Sequence, residues 1–249
     1  MTAPLGDSVV WHDAENGSYS ADLGLWERLA REGRGAVIDL GAGTGRVALH
    51  LARRGLDVVA VDTAQELLDA LAHRAAAAGL AVRTAAADAR ELAGSGLQAG
   101  TIIAPMQLAH LMGGAEGRVR LLAGARTVLP PGGRFHLALL TDTAEEELGD
   151  ETTPPPLPDV REEDGWVHSS LPTAVVFGTD RVDIHRRREL VSPAGELTSE
   201  ENLISLDCVS ADELEAEARA AGWTVLERTP IPPTRSHVGS VVVSLEVPR

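Results

Sequence analysis

Asp39 stands two positions ahead of three alternating glycines, Gly41, Gly43 and Gly45, in the run Val37-Ile38-Asp39-Leu40-Gly41-Ala42-Gly43-Thr44-Gly45-Arg46. Glycines so spaced permit positive φ and remove the Cβ atoms that would keep a ligand off the backbone. The N–H groups that open the following helix can receive an anionic group. Two further acids, Asp62 and Asp88, each follow a short extended stretch in the same manner. The chemistry on offer is the holding of a polar ligand, by backbone N–H groups on one side and by carboxylates that accept hydroxyl or amine hydrogens on the other.

Those residues need elements to hold them. Residues 36–40 are apolar and β-branched, as a buried parallel strand is, and residues 46–54 repeat Val47, Leu49 and Leu51 among helix formers. A second strand over 57–61 runs into Asp62, and a helix over 64–78 sets Leu67, Leu68 and Leu71 on one side. A weak third strand over 81–86 precedes Ala87-Asp88-Ala89, and a fourth over 101–104 runs into Pro105-Met106-Gln107. An amphipathic helix over 116–129 stops at Pro130-Pro131-Gly132-Gly133, ahead of a fifth strand over 135–140. This alternation predicts an α/β fold: a doubly wound, mostly parallel sheet with helices on both faces, whose strand carboxyl ends line one crevice. There Asp62 can accept both hydrogens of a ribose diol.

The rhythm changes between 141 and 210. An acidic run at 145–147 and a proline-rich stretch at 153–158 come first, then extended stretches at 173–177, 181–191 and 197–208 separated by turn residues. These predict an inserted three-stranded antiparallel meander after the fifth strand. Ser210-Ala211-Asp212-Glu213 has the capping-box form, so a helix runs to Ala221 and stops at Gly222, and residues 223–228 and 238–247 supply two closing strands. At the other end, residues 11–20 are polar, and residues 21–31 place Leu23, Trp26, Leu29 and Ala30 at helical spacing behind Ser20 as a cap.

Composition narrows the function. A chain of 249 residues suits one α/β domain with a modest cap. A net charge of −15 repels phosphate backbones, so nucleic acid is not expected as a partner. Arg186, Arg187 and Arg188 would alternate between two faces of a strand, which reads as a solvated edge. All 22 basic residues are arginine, which excludes a P-loop lysine, a Schiff-base lysine and pyridoxal chemistry. With Tyr19 the single tyrosine, a tyrosine-and-lysine short-chain dehydrogenase site is excluded as well. The single Cys208 suits a reducing compartment, and no apolar run is long enough to span a bilayer, so a cytoplasmic, membrane-free protein is expected.

The glycine spacing is G-x-G-x-G and not the G-x-G-x-x-G/A of dinucleotide sites. With Asp39 ahead of it, the stretch resembles the first motif of class I S-adenosylmethionine-dependent methyltransferases, a resemblance that covers residues 37–140 well and the last forty loosely. It implies a seven-stranded sheet and S-adenosylmethionine as cofactor. Contacts to it are then expected at Asp39, Gly41, Ala42, Gly43 and Gly45, at Asp62 and Thr63, at Ala87, Asp88 and Ala89, and at Ala104 and Met106. Asp88 matches the acid that meets the adenine amino group in this superfamily; the alternative is a cap on the short helix behind it. Tyr19 would stand on an N-terminal lid, or simply pack at a helix start. The resemblance divides the chain into a lid (1–32), a cofactor half (33–140), an antiparallel cap (141–209) that roofs the pocket or forms a dimer surface, and a closing helix and strands (210–249). Ala104-Pro105-Met106-Gln107 departs from the N/D-P-P-Y/F motif of nucleobase-amine methylases, which disfavours that branch.

The implied reaction is in-line methyl transfer to N or O of a small-molecule acceptor. A base could take a proton from the acceptor, and His110 on the rim is the first candidate, ahead of His12, His168 and His237; each could equally be an ordinary polar surface residue. His50 and His73 read as surface histidines and His136 as a core one. No metal-ligand spacing is present. Two rival readings remain: a protein that binds the nucleoside without turnover, and, more weakly, an NAD-dependent oxidoreductase.

Overall fold

In the strand β1 (Val37–Leu40) every residue is buried, and alternation sends Ile38 and Leu40 to one face of the sheet and Val37 and Asp39 to the other. The same split runs through its neighbours β2 (Val58–Asp62) and β4 (Thr101–Ala104), so the sheet must be covered on both sides. On one face the helices α5 (Ala115–Val128) and α6 (Ala211–Ala220) bury Leu121, Leu122, Ala125, Leu214 and Ala218 against Ile38, Leu40, Ile102 and Phe135. On the other, α2 (Leu23–Glu32), α3 (Arg46–Arg53) and α4 (Gln65–Ala77) bury Trp26, Leu29, Val47, Leu51, Leu68 and Leu71 against Val37, Val58, Ala60 and Ile103. A computed structural model describes residues 8–141, 157–234 and 237–249 of the chain.

Adding β3 (Val82–Ala86), β5 (Arg134–Leu140), β10 (Thr224–Val225), β11 (Thr229–Ile231) and β12 (Ser240–Glu246), the strand order is β10-β12-β5-β4-β1-β2-β3. Strands β1 to β5 are parallel, and β12 lies antiparallel between β5 and the edge, paired from Ser240↔Leu140 to Glu246↔Arg134. The chain winds from β1 outward to β3, then crosses back to β4, so the direction reverses between β1 and β4, the point where such sheets open a crevice. The seventh place is a broken strand: the stretch expected over 223–228 pairs through Thr224 and Val225, and β11 resumes along the same neighbour. Pro230, with no N–H, is tolerated at this edge.

The insertion is a separate antiparallel sheet of four strands and not three: β6 (Asp159–Glu163), β7 (Trp166–Phe177), β8 (Arg181–Val191) and β9 (Leu197–Asp207). β7 begins seven residues before its expected start at 173, because the polar run through His168 and Ser170 is extended and buried against the N-terminal helix rather than turned to solvent. The register slips between Pro172 and Ala174, where proline withdraws its donor from the ladder. The acidic run at 145–147 and residues 153–156 of the proline-rich stretch lie outside the described residues. Residues expected as a polar segment at the N-terminus are instead helical, α1 (Ser8–Asn16). The capping box before α6 is formed as expected, Ser210 Oγ accepting from Glu213 N and Glu213 from Ser210 N, whereas α2 starts behind Asp22 and not behind Ser20.

Candidate active site

Gly41, Gly43 and Gly45 all hold positive φ, at 69°, 53° and 95°. The space beside them is filled. A Cβ on Gly45 would lie 2.6 Å from Leu71 Cγ, and one on Gly43 would lie 2.2 Å from His12 Nε2. The loop is pinned to the neighbouring strand where Gly41 N and Ala42 N both donate to Val61 O, at 2.8 and 3.1 Å. Asp62, at the end of that strand, reaches under it: Oδ2 accepts from Gly43 N at 2.8 Å and Oδ1 from Ala64 N at 3.0 Å, with Thr63 exposed between them.

Asp39 is the unusual group. Its carboxylate is 1% exposed, and among the described residues neither oxygen has a hydrogen-bond partner. Burial pushes it up to about 7, against the opposing pull of the Arg46 cation and of the Ala48 N–H, which points towards the carboxyl without completing a hydrogen bond. Arg46 itself is committed to Asp22, at 2.5 and 2.9 Å, and donates to Tyr19 O at 3.1 Å.

The third acid arrives beside the second. Asp62 pairs with Ala86 across β2 and β3, and Ala87 N donates to Asp62 O at 2.9 Å, so the two strand ends bring Asp62, Ala87 and Asp88 to one lip of the sheet. Asp88 does cap the short 3-10 turn Ala89–Glu91, accepting from Arg90 N at 2.8 Å, and Arg90 grips both of its oxygens. Those hydrogen bonds hold its carboxyl below the usual range. On the opposite side of β1, Ala104 is buried at the end of β4, and Met106 follows with φ at 61°. A side chain in the left-handed region stores roughly 1–3 kcal/mol of strain, of the kind that collects at functional rims.

Tyr19 does reach this rim, stacked on His237 with ring centroids 4.2 Å apart and with the Arg46 guanidinium 5.2 Å from its ring. His237 belongs to the loop that enters β12, whose first residue pairs with the last of β5, at the carboxyl edge of the parallel strands. His110 is a correction. Its ring is 3% exposed; Leu140 N donates to Nε2 at 3.1 Å, which leaves Nδ1 to donate to Asp207 O at 2.7 Å. Burial lowers its pKa, and with its one lone pair already taken it cannot act as a base. It ties the end of β5 to the end of the cap. His136 is a core histidine as expected, bonded to Ser244 Oγ at 2.8 Å and pushed down to about 4 by burial, and His73 is exposed. His50 is half-buried and pairs with Glu27.

What the motifs did not foretell is the part played by α1. His12 lies on Gly43 and meets Thr44 Oγ1 at 3.2 Å, its pKa lowered by burial. Asp13 accepts from Thr44 Oγ1 at 2.6 Å and from Arg74 at both oxygens. Glu15 reaches the cap, where Arg186 and Arg188 are largely buried on its inner face and Arg187 alone is solvated. The alternation expected of the three arginines is present; the solvated edge is not. Partners 31, 61 and 173 residues apart leave no local spacing to find.

A family model described as a methyltransferase domain matches residues 37–133. An uncharacterized methyltransferase of Mycobacterium tuberculosis strain H37Rv is 35% identical over 149 residues, which are 60% of this chain and 56% of that protein, so the chain spans just over half the length of the curated relative. Among solved structures, the sugar N-methyltransferase KedS8 of a Streptoalloteichus species superposes with a TM-score of 0.75 at 17% identity, over 98% of this chain and 94% of that one. CalS10, an amino pentose methyltransferase from Micromonospora echinaspora solved with S-adenosylmethionine bound, gives 0.70 at 20% identity over 94% and 96%. Motif, sheet order and domain match agree: residues 37–133 match a methyltransferase domain, and the chain shares the fold of the superposed methyltransferases.

Proposed function

We propose that this protein transfers the methyl group of S-adenosylmethionine to a nitrogen or oxygen of a small-molecule acceptor. The observation that carries the reading is the orphaned carboxylate of Asp39, buried at the foot of a loop whose three glycines all take positive φ. A buried acid without a partner asks for a cation, and the cofactor's amino-acid end carries an ammonium. The rest of the lip fits the same group. Asp62 would take the ribose hydroxyls in place of its loop contacts, and Ala87 and Ala89 leave room for a purine beside Asp88. Tyr19, Ala104 and Met106 would wall the sulfonium end. A pairing of Arg90 with Asp88 as tight as this one would have to loosen for Asp88 to accept an amine hydrogen, so the purine contact falls first to the backbone N–H groups of the same turn.

When bound, the cofactor supplies an activated methyl group open to in-line displacement. The protein's own work is to hold an acceptor atom at about 3 Å from it and to keep water out. Such placement needs a roof, and the four-stranded sheet, joined beside the carboxyl edge where Asp207 meets His110 and Gly114, would serve as one. Where the acceptor loses a proton, His237 beside Tyr19 would be the rim imidazole to take it, its pKa lowered by burial. The sugar N-methyltransferase and the amino pentose methyltransferase among the superposed structures make an amino sugar the first acceptor class to test.

Calorimetry with S-adenosylhomocysteine tests the cofactor, and transfer of labelled methyl to a panel of amino sugars and small amines tests the chemistry. Binding by the native protein is expected, weakened roughly 10- to 100-fold in Asp62→Ala, the worth of charge-assisted hydrogen bonds. No binding would refute the reading. Binding with no transfer to any acceptor would favour a nucleoside-binding protein without turnover.

A further inference from the structure

The helix α1 presents its polar side chains in two directions. Trp11 and Glu15 are one turn apart and share a face, while His12 and Asp13 lie around the helix from them. The first pair meets the cap. Glu15 accepts from Ser170 Oγ at 2.8 Å and from Arg188 Nε and Nη2 at 2.8 and 3.0 Å, with Arg186 Nε at 3.6 Å. Arg188 also lies 5.2 Å from the Trp11 ring, whose edge-on neighbour is His168 at 5.1 Å. The second pair meets the glycine loop and α4, through His12 on Gly43 and Asp13 on Thr44 and Arg74, with Arg161 of β6 also 3.4 Å from Asp13.

The far end of the cap is fastened differently. At the last residue of β9, Asp207 O meets His110 Nδ1, and its Oδ2 accepts from Gly114 N at 2.6 Å. These bonds join the end of β9 to the loop that follows β4, and His110 Nε2 accepts in turn from Leu140 N at the end of β5, so this corner ties the two sheets together. The end held by α1 depends on side-chain carboxylates of a single helix. That helix is also the cover of the glycine loop.

We propose that α1 is a two-faced latch coupling occupation of the cofactor cradle to closure of the cap over the acceptor, with Glu15 as the positioning residue that holds the cap down. The inference rests on the cofactor reading above. Asp13 and Glu15 stand two residues apart on a hydrogen-bonded helix, so a lift of α1 as a body takes both from their partners together. A group entering beside Gly43 meets His12, and its fit decides whether α1 seats. Seating α1 brings Glu15 to Arg188 and Ser170, and lifting it leaves a carboxylate that is 9% exposed to find new partners. Loop and cap therefore favour the same position of α1, and such a coupling acts equally in both directions.

Hydrogen–deuterium exchange on the whole protein, with and without S-adenosylhomocysteine, tests this in the native chain, Glu15→Gln and Arg188→Gln. In the native protein the ligand is expected to slow exchange in the glycine loop and, about fivefold or more, in β7 and β8, as a coupled site requires. In Glu15→Gln the loop effect persists and affinity falls by about the same factor as the coupling, roughly fivefold, while the ligand-dependent slowing in β7 and β8 is lost. Arg188→Gln should reproduce that loss from the cap side. A merely structural Glu15 would raise cap exchange equally with and without ligand, leaving their ratio intact, and that result overturns the latch. So does a native protein whose loop is protected by ligand while β7 and β8 are unaffected, an arm that needs no variant. Failure of the native protein to bind S-adenosylhomocysteine in calorimetry would refute the cofactor reading instead.

Discussion

Replacing Asp39 by asparagine should make the empty protein more stable and the site worse. The two side chains have the same shape, and the native carboxylate is 1% exposed with no hydrogen-bond partner among the described residues. Burial moves its pKa from 3.8 to about 7. That difference corresponds to roughly 4 kcal/mol between the protonated and ionised forms in the folded state. Because the folded protein holds this proton more tightly than the unfolded chain, the stability it contributes is complete below pH 3.8 and is lost as pH rises through about 7. At pH 8 the native chain carries the full cost of a buried charge, and Asp39→Asn does not. Thermal unfolding of the empty variant at pH 8 should therefore exceed the native midpoint by up to roughly 8–16 °C, and the gap should shrink towards pH 5. With S-adenosylhomocysteine the order reverses, since an ammonium meeting the carboxylate restores its charge, and the native protein should bind more tightly as pH rises from 5 to 8 while the variant stays flat. An empty Asp39→Asn protein that is less stable than native at pH 8 would show the carboxylate to be well paired, and the reasoning would fail.

Two further substitutions separate folding from binding. Gly45→Ala puts a methyl 2.6 Å from Leu71 Cγ at a φ of 95°, and left-handed strain plus overpacking should cost about 2–5 kcal/mol, read as a fall of more than roughly 5 °C in the unfolding midpoint. A midpoint within a degree of native would mean that the loop takes another path. His110→Ala strands Leu140 N and Asp207 O and should destabilise by about 2–5 kcal/mol, while S-adenosylhomocysteine affinity changes little. If it instead left stability untouched and cut turnover by roughly 10²- to 10⁴-fold, the histidine would be a base after all.

The parts of this fold that were legible are those in which a short stretch carries its own instruction. Buried parallel strands must be apolar on both faces, so β1, β2 and β4 declare themselves, and positive φ demands glycine at 41, 43 and 45 whatever surrounds them. Asp62 and Asp88 could be placed together because strand ends in a doubly wound sheet share an edge. A closing strand was expected over 223–228, but its break into the two-residue β10 and the proline-containing β11 was visible only in the pairing with β12.

Polar residues carry no comparable mark, since a side chain that faces water and one that faces a distant partner look alike in sequence. Residues 11–20 read only as a polar stretch of the lid because His12, Asp13 and Glu15 carry no mark of their partners, yet Asp13 is 6% exposed and its arginine lies 61 residues on. Arg186 and Arg188 read as an exposed edge for the same reason, and the acid that buries them is Glu15, 173 residues back from Arg188. One hint was present. A chain with no lysine has put every cation on a planar, bidentate group suited to carboxylates at low exposure. In a protein carrying 37 acidic side chains, such cations serve internal pairing better than solubility, as Arg46 with Asp22 and Arg118 with Glu217 illustrate at 9% and 7% exposure. The arginines on one strand face, and not the histidines, were therefore the residues pointing to where the cap meets the cofactor half.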